Sequence, residues 1–304
     1  RRGRRMTVAV TGANGAVGRN LLAHLVAHGV SSVAMVRSER AARAFPKPRG
    51  FDVRIVSYQD ATGLAVAIEG ATCVVHLAGI LIESPASSYE MGNVDSTRAV
   101  AQAAKAVGAE HLVLVSVLGA DSGSSNRFLR SKGEAERIAR ESGIGVTILQ
   151  TPILLGPGTA GSAALRRSVL SGQAKLLDGG RHTLRPLDVE DLSRAIIAVC
   201  GEAPEGVESY ELVGPEPIAY RALVERAARC MDRQVSITTT PIGIAKVAAA
   251  LMSRVKGGGI TPDVIDVITS SEVVEHNADA ALGITLTPLA ETLQKLFVDE
   301  ARTA

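Results

Sequence analysis

Six short runs rich in β-branched residues recur along the first half of the chain. They lie at Thr7–Val10, Ser32–Val36, Val53–Val56, Cys73–Leu77, His111–Ser116 and Val146–Leu149. Between them are stretches with helical spacing. The first puts Val17, Leu21 and Leu25 on one face and stops at Gly29; others cover roughly 61–68, 95–107 and 132–142. Strands alternating with helices of this length read as βαβ units. The pattern predicts an α/β fold, a Rossmann-type doubly wound parallel sheet with helices on both faces. Such sheets bind ligands at the carboxyl ends of their strands, where the strand order reverses.

After Leu149 the rhythm changes. Gly156, Pro157, Gly158, Gly161, Gly172, Gly179 and Gly180 mark a loop-rich segment. A helix at Val189–Val199 has the spacing to pack back on the first core, and further helices are expected at Tyr220–Cys230, 242–255 and 288–297. Residues 6–155 are therefore expected to form a dinucleotide-binding domain, with helix 188–200 packed on it. Residues 156–187 and 201–304 form a smaller, mainly helical C-terminal substrate domain, in which Lys256-Gly257-Gly258-Gly259 reads as a mobile joint. Arg1-Arg2-Gly3-Arg4-Arg5 reads as a disordered basic arm or a vector remnant; no apolar run follows it, so it is not a secretory signal.

Composition narrows the function. Aromatic residues make up 3% of the 304, Trp is absent and the formal net charge is +2, which argues against a nucleic-acid partner. The three cysteines are far apart, with no Cys-x-x-Cys, and read as buried free thiols of a cytoplasmic protein. No apolar run reaches bilayer length, and the Ala-rich stretch Ile242–Met252 is broken by Lys246, so no membrane partner is expected. No His, Cys and Asp cluster has metal-ligand spacing. Asp188, Glu190 and Asp191, at the start of an apolar helix, read as cap and dipole partners.

The strongest local signal is Thr11-Gly12-Ala13-Asn14-Gly15-Ala16-Val17-Gly18, between the first strand and the first helix. Glycines let the backbone approach a pyrophosphate, and the helix start offers free N–H groups and the positive dipole end. The second strand runs into Arg37-Ser38-Glu39. A basic residue there pairs with a ribose 2′-phosphate, whereas an acidic one binds a 2′-hydroxyl. Arg37 with Ser38 favours NADP(H); Glu39 leaves NAD(H) open.

The glycine loop is joined by His76-Leu77-Ala78-Gly79, Asn93-Val94-Asp95-Ser96-Thr97, a serine after the fifth strand, and Arg130-Ser131-Lys132-Gly133-Glu134-Ala135-Glu136. Gly156-Pro157-Gly158 and Arg185-Pro186-Leu187-Asp188-Val189-Glu190-Asp191 follow. In this order the motifs resemble the extended and atypical short-chain dehydrogenase/reductase superfamily, nearest its complex I accessory-subunit-like branch. The resemblance runs from residue 7 to about 297. It implies that Gly12, Asn14, Gly15, Ala16 and Val17 line the pyrophosphate and that Arg37 and Ser38 meet the 2′-phosphate. It further implies that Ala78 and Gly79 flank the ribose and nicotinamide, that Lys132 bonds the ribose hydroxyls, and that Thr151, Pro152 and Ile153 contact the carboxamide. On the adenine side the family often has Gly-Asp where this chain has Ser57-Tyr58.

One departure bears on mechanism. The family's Tyr-x-x-x-Lys supplies a proton through the phenol, but here the motif is Phe128-Leu129-Arg130-Ser131-Lys132. The usual serine aligns with Val117, with Ser116 its neighbour; a shift of one residue would reinstate Ser116. Lys132, Asn93 and Ser116 remain the candidate catalytic residues. His76 and Tyr89 are weighed as substitute proton donors, and His182 as a loop residue. Relatives lacking both Ser and Tyr occur among ketoreductases of aromatic polyketide antibiotic pathways. The expectation is an NADPH-dependent ketoreductase, a monomer or homodimer, reducing a small-molecule ketone to a secondary alcohol with a proton from water or from the substrate. The alternative is a non-catalytic NADP(H)-binding sensor or assembly protein.

Overall fold

The computed structural model describes residues 6–47, 49–256 and 258–299. The expected arm at 1–5 and Gly257 of the expected joint lie outside them. The first half runs β1 (Thr7–Thr11), α1 (Ala16–Ala27), β2 (Ser31–Val36), α2 (Glu39–Arg43), β3 (Asp52–Ile55), α3 (Ala61–Ile68) and β4 (Cys73–His76). A wide π turn, Glu90–Asp95, leads into α4 (Ser96–Ala106), then β5 (His111–Val117), α5 (Arg127–Arg140) and β6 (Gly145–Thr151). Helix α5 begins five residues before the expected start because Asn126 caps it, its Oδ1 accepting from Phe128 N and Leu129 N.

The second half runs β7 (Leu154–Leu155), α6 (Ala160–Leu170), β8 (Gln173–Leu177), β9 (Thr183–Leu184), β10 (Leu187–Asp188), α7 (Val189–Cys200) and β11 (Val207–Glu211). It ends with β12 (Ile218–Ala219), α8 (Tyr220–Cys230), β13 (Ser236–Thr240), α9 (Ile242–Lys256), α10 (Pro262–Thr269) and α11 (Leu289–Gln294), which continues as a π turn, Lys295–Asp299.

The large sheet has the order β11-β6-β5-β4-β1-β2-β3, and every pairing is parallel. Its strand order reverses between β1 and β4, where Thr11 lies opposite His76. That point is the crevice a doubly wound sheet offers a ligand. Strand β11, in the stretch assigned by sequence to the second unit, belongs instead to this sheet. Its backbone bonds pair Val207 with Val146 through Glu211 with Gln150, which satisfies the open edge of β6.

On one face α1 and α7 pack through Leu21, Leu22, Leu25, Leu192 and Ile196. On the other, α3, α4 and α5 contribute Leu64, Ile68, Val100, Ala104 and Ala139. A separate apolar cluster joins α6, α8 and α11 through Leu165, Val169, Leu223, Val224 and Leu293, beside the parallel pair β8–β13. Helix α7 ties the two together. Asp188 caps it, accepting from Glu190 N at 2.9 Å, and also accepts from Thr292 Oγ1 at 2.7 Å. Asp191, fully buried, takes Thr287 N and Oγ1, both at 2.7 Å, and Glu190 pairs with Lys295. Cys73 and Cys200 are buried free thiols 3.2 Å apart, while Cys230 is only half-buried. Among the described residues, no helix is long and apolar enough to cross a membrane.

Two histidines sit inside the sheet. His76 Nδ1 bonds Thr11 Oγ1 at 2.7 Å and His111 Nε2 bonds Thr147 Oγ1 at 2.9 Å. Burial, with a smaller push from Lys132, brings His76 down to about 3, and burial brings His111 to about 4. An unfolded chain protonates both near pH 6.5, so below that pH it binds protons the folded chain refuses. Stability should fall as pH drops from 6.5 towards 4, by up to ~1.4 kcal/mol per pH unit for each histidine. Urea midpoints measured from pH 7 to 4.5 should show this slope, and His111→Gln should remove about half of the histidine contribution. An unchanged slope in that variant would show that His111 does not titrate this way.

Candidate functional site

The site begins where β1 ends. Gly12 has φ +66°, and a Cβ there would lie 3.0 Å from Ala78 N and 3.1 Å from Leu77 C, so only glycine lets the two strand ends approach this closely. Gly15 N donates to Gly12 O at 3.0 Å, closing the turn, and Gly15 starts α1 with no side-chain cap. The first N–H groups of the helix therefore open onto the crevice. A Cβ on Gly18 would fall 2.6 Å from Ala13, so the helix can press onto the loop. Gly158 closes the rim from the other side; a Cβ on it would lie 3.7 Å from Ala16 Cβ.

A cleft of about 490 Å³ runs outward from this turn. Gly12, Asn14, Gly15, Arg37, Ala78 and Gly79 all line it, so these sequence-predicted residues come together. Ala16 and Val17 are the first residues of α1, behind the loop. Arg37 is exposed at the end of β2 and forms no ion pair among the described residues; Glu39 turns instead to Arg43, at 3.9 Å. Ser38 caps α2, its Oγ accepting from Ala41 N at 3.2 Å, which leaves its O–H free to donate.

Tyr58 lines the cleft beside Ser57 and Gln59. Its ring meets His76 edge-on, with centroids 6.2 Å apart. Burial raises its phenol pKa, partly offset by Thr11, Arg37 and Gly12. The position where relatives often carry an acid is thus filled by an aromatic ring backed by Thr11 and His76. Sequence showed the departure but not the packing, because the contact joins residues distant in the chain.

Lys132 and Asn93 lie just behind Gly79, which lines the cleft. Lys132 is buried and donates to Val115 O at 3.2 Å; its remaining N–H groups have no partner among the described residues. Burial lowers it to about 8, with Glu136 pulling the other way. A Cβ on Gly79 would lie 3.1 Å from Asn93 Oδ1 and 3.8 Å from Lys132 Nζ, so Gly79 keeps the way to both open. Asn93 is fully engaged: its Oδ1 accepts from Ile80 N at 2.8 Å, and its Nδ2 donates to Ile80 O at 3.2 Å and Ser131 Oγ at 2.9 Å. It sits in the wide π turn, a distortion common at functional sites.

Ser116 and His76 are buried on the α4/α5 face of the sheet, and neither Ser116 Oγ nor His76 Nε2 has a hydrogen-bond partner. Val117, the next residue, turns to the opposite face and is partly exposed. Thr151 Oγ1 donates to Ser116 O at 3.1 Å, linking β6 to this corner. Pro152 is half-buried, and Ile153 N donates to the Glu272 carboxylate at 3.4 Å.

Phe128 is buried where the family tyrosine would stand, its ring 5.7 Å from that of Tyr89. The Tyr89 hydroxyl is committed, donating to Leu81 O at 2.9 Å; burial, then Glu83 and Asp263, push it up to about 12. Asp95 and Ser96 of the Asn93–Thr97 motif also line the cleft, as do Ile80, Ala86, Ser87, Met91 and Gly92, which were not anticipated. The π turn around Asn93, which brings Met91 and Asp95 to the cleft, has no residue signature that distinguishes it from an ordinary helix start.

The profile of the NAD(P)H-binding family matches residues 12–176, more than half of the chain. The ceramide reductase of Caulobacter vibrioides is 27% identical over 96% of this chain and 90% of its own. The 4-hydroxy-2-methyl-3-oxo-4-farnesyl-3,4-dihydroquinoline-1-oxide ketoreductase of Stigmatella aurantiaca is 24% identical over 81% of this chain and 79% of its own. Among solved structures, MoeE5 with UDP-glucuronic acid and NAD superimposes with a TM-score of 0.77 at 19% identity, over 98% of this chain and 100% of the other. The Escherichia coli quinone oxidoreductase QOR2 with NADPH gives 0.72 at 22%, over 95% and 99%. The free helix start, the cradle kept open at Gly12 and Gly79 and the buried lysine fit a dinucleotide, and the chain belongs to the NAD(P)H-binding oxidoreductases of the extended short-chain dehydrogenase/reductase type.

Proposed function

We propose that the chain is an NADPH-dependent ketoreductase that turns a ketone into a secondary alcohol without a protein phenol. The observation that carries this reading is Lys132: a buried ammonium with unused N–H groups beside Gly79, on the helix that also carries Phe128, whose ring meets that of Tyr89. Reduced nicotinamide, when bound, supplies a hydride to an electrophilic carbon. The chain's own residues bind and orient. Gly12, Asn14 and Gly15 with the start of α1 hold the pyrophosphate, Arg37 with the Ser38 hydroxyl holds the 2′-phosphate, and Lys132 holds the ribose hydroxyls. Asn93 fixes the Ile80 segment over α5 and so shapes the wall facing the substrate.

Phe128 has no proton to give, and the Tyr89 hydroxyl is spent on Leu81. A phenol or enol beside the substrate's own carbonyl can supply the missing hydrogen bond internally. Positioning next to the cofactor then does the rest. The two reductase-named relatives support oxidoreductase chemistry, and the second acts on a ketone by its name.

Three outcomes check the reading. With NADPH deuterated at nicotinamide C4, the product alcohol should carry deuterium for ketones with an adjacent phenol and not for matched ketones lacking it. NADPH binding with no transfer to any ketone would favour the sensor role instead. Arg37→Asp should weaken NADPH binding ~10–150-fold, the worth of about 1.5–3 kcal/mol for a charge-assisted hydrogen bond, and leave NADH affinity nearly unchanged. Equal losses for both cofactors would remove Arg37 from the 2′-phosphate. The rate should fall as pH rises through about 8, where Lys132 loses its charge, and Lys132→Arg should move that fall beyond the measured range.

A further inference from the structure

Helix α9 is inverted with respect to the molecule. Its inward face is made largely of small residues: Ala249 is buried, and Ala245, Ala250 and Ser253 are half-buried. Beyond the half-buried Ile242, its large apolar side chains face solvent. Ile244, Val247, Leu251 and Val255 recur at helical spacing on one stripe and are 65%, 63%, 61% and 87% exposed, with Met252 at the margin. Single exposed apolar residues are ordinary, but a contiguous stripe marks a surface that something else covers.

The charges on the helix itself suit an anionic surface. From Pro241 to Gly259 the sequence carries Lys246, Arg254 and Lys256 and no Asp or Glu. Lys246 is tied to Asp266 of α10, while Arg254 is exposed beside the stripe and forms no ion pair among the described residues. An apolar helix face whose own charges are all positive, with the neighbouring Asp266 held by Lys246, complements the boundary between acyl chains and anionic headgroups.

The α9–α10 segment is also tied to loops that neighbour the cleft. Gly259 N donates to Glu83 O at 2.9 Å, and Glu83 Oε1 accepts from Tyr89 N at 2.9 Å. Asn126, the cap of α5 two residues before Phe128, donates to Asp263 O of α10 at 2.9 Å. The α9–α10 unit is thus fastened to both segments that carry Tyr89 and Phe128. Leu81 and Ile82, on the loop preceding Glu83, are themselves 37% and 44% exposed.

We infer that α9 lies flat on an anionic phospholipid surface and that the cleft draws an apolar, acyl- or prenyl-bearing ketone from that bilayer. The second half of this statement rests on the ketoreductase reading; the docking does not. Surface docking needs no spanning helix, and none is present among the described residues.

The test is sedimentation of the whole protein with vesicles of phosphatidylcholine alone or mixed with phosphatidylglycerol. The wild type should bind the mixed vesicles, release at high salt, and bind the neutral ones weakly. Leu251→Ser/Val255→Ser, both on exposed positions, should lower vesicle affinity at least ~10-fold, and Arg254→Glu should lower it on mixed vesicles only. The same double variant should lose turnover of a long-chain ketone held in vesicles and keep turnover of its water-soluble short-chain counterpart. A wild type that stays in the supernatant would overturn the docking, as would a dimer that the double variant dissociates, because the stripe would then face a second copy. Vesicle binding without turnover of either ketone would leave docking intact and overturn the lipid-ketone assignment together with the reductase reading.

Discussion

The approach of the β1–α1 turn to the end of β4 is the constraint from which the site follows. With φ at +66° and no Cβ, Gly12 lets its backbone come against Leu77 and Ala78, and the helix behind it then points its free N–H groups across the switch point of the sheet. Gly18 repeats the device one turn on, where a side chain would collide with Ala13. A methyl group at Gly12 would part β1 from β4 and disturb the Thr11–His76 hydrogen bond beneath. The polar floor formed by His76, Ser116 and Lys132 lies on the same face of the adjoining strands, so its geometry depends on that registry.

Lys132 shows how the fold stores a functional group at some cost. A buried ammonium with one hydrogen bond is poorly solvated, which is why its pKa falls to about 8. Nothing in the packing of α5 requires that charge; Ser131 and Phe128 next to it are satisfied by Asn93 and Tyr89. An unsolvated cation just behind Gly79 of the cleft is consistent with a partner that completes its shell. Phe128 works the other way: at the position where the resemblance leads one to expect a tyrosine, a buried ring without a hydroxyl packs on Tyr89.

Much of this arrangement was legible in the sequence. The β-branched runs gave six strands of the large sheet, the glycine spacing marked the cofactor turn, and Arg37, Lys132 and Phe128 stood at positions whose meaning is local. Three features were not legible. Val207–Glu211 alternates too little to announce itself, and what makes it a strand is the open edge of β6, a partner about sixty residues earlier. The union of Thr11, His76 and Tyr58 is made by strands that meet only in the folded sheet. The third is the direction of α9: its residues fit an amphipathic helix whichever face turns inward, and only the burial of Ala249 and the partial burial of Ala245 and Ser253 show that the bulky side faces out.

That orientation bears on the missing phenol. A water-soluble ketone reaching an open cleft would find abundant water to protonate it, and a protein acid would then be easy to lose but also easy to regain. A ketone entering from an apolar surface meets the opposite situation. Phe128 and Tyr89 are buried with their rings in contact, Ile80 lines the cleft, and Leu81 beside it is partly exposed. In such surroundings a hydrogen bond within the substrate is stronger than in water, because the competing solvent is excluded and the effective dielectric is lower. The apolar packing that removes the protein's own acid therefore makes an internal donor in the substrate more effective. Under the proposed chemistry, Phe128 and the outward face of α9 belong to one adaptation, a site built for a substrate that brings both its hydrophobic anchor and its own hydrogen bond.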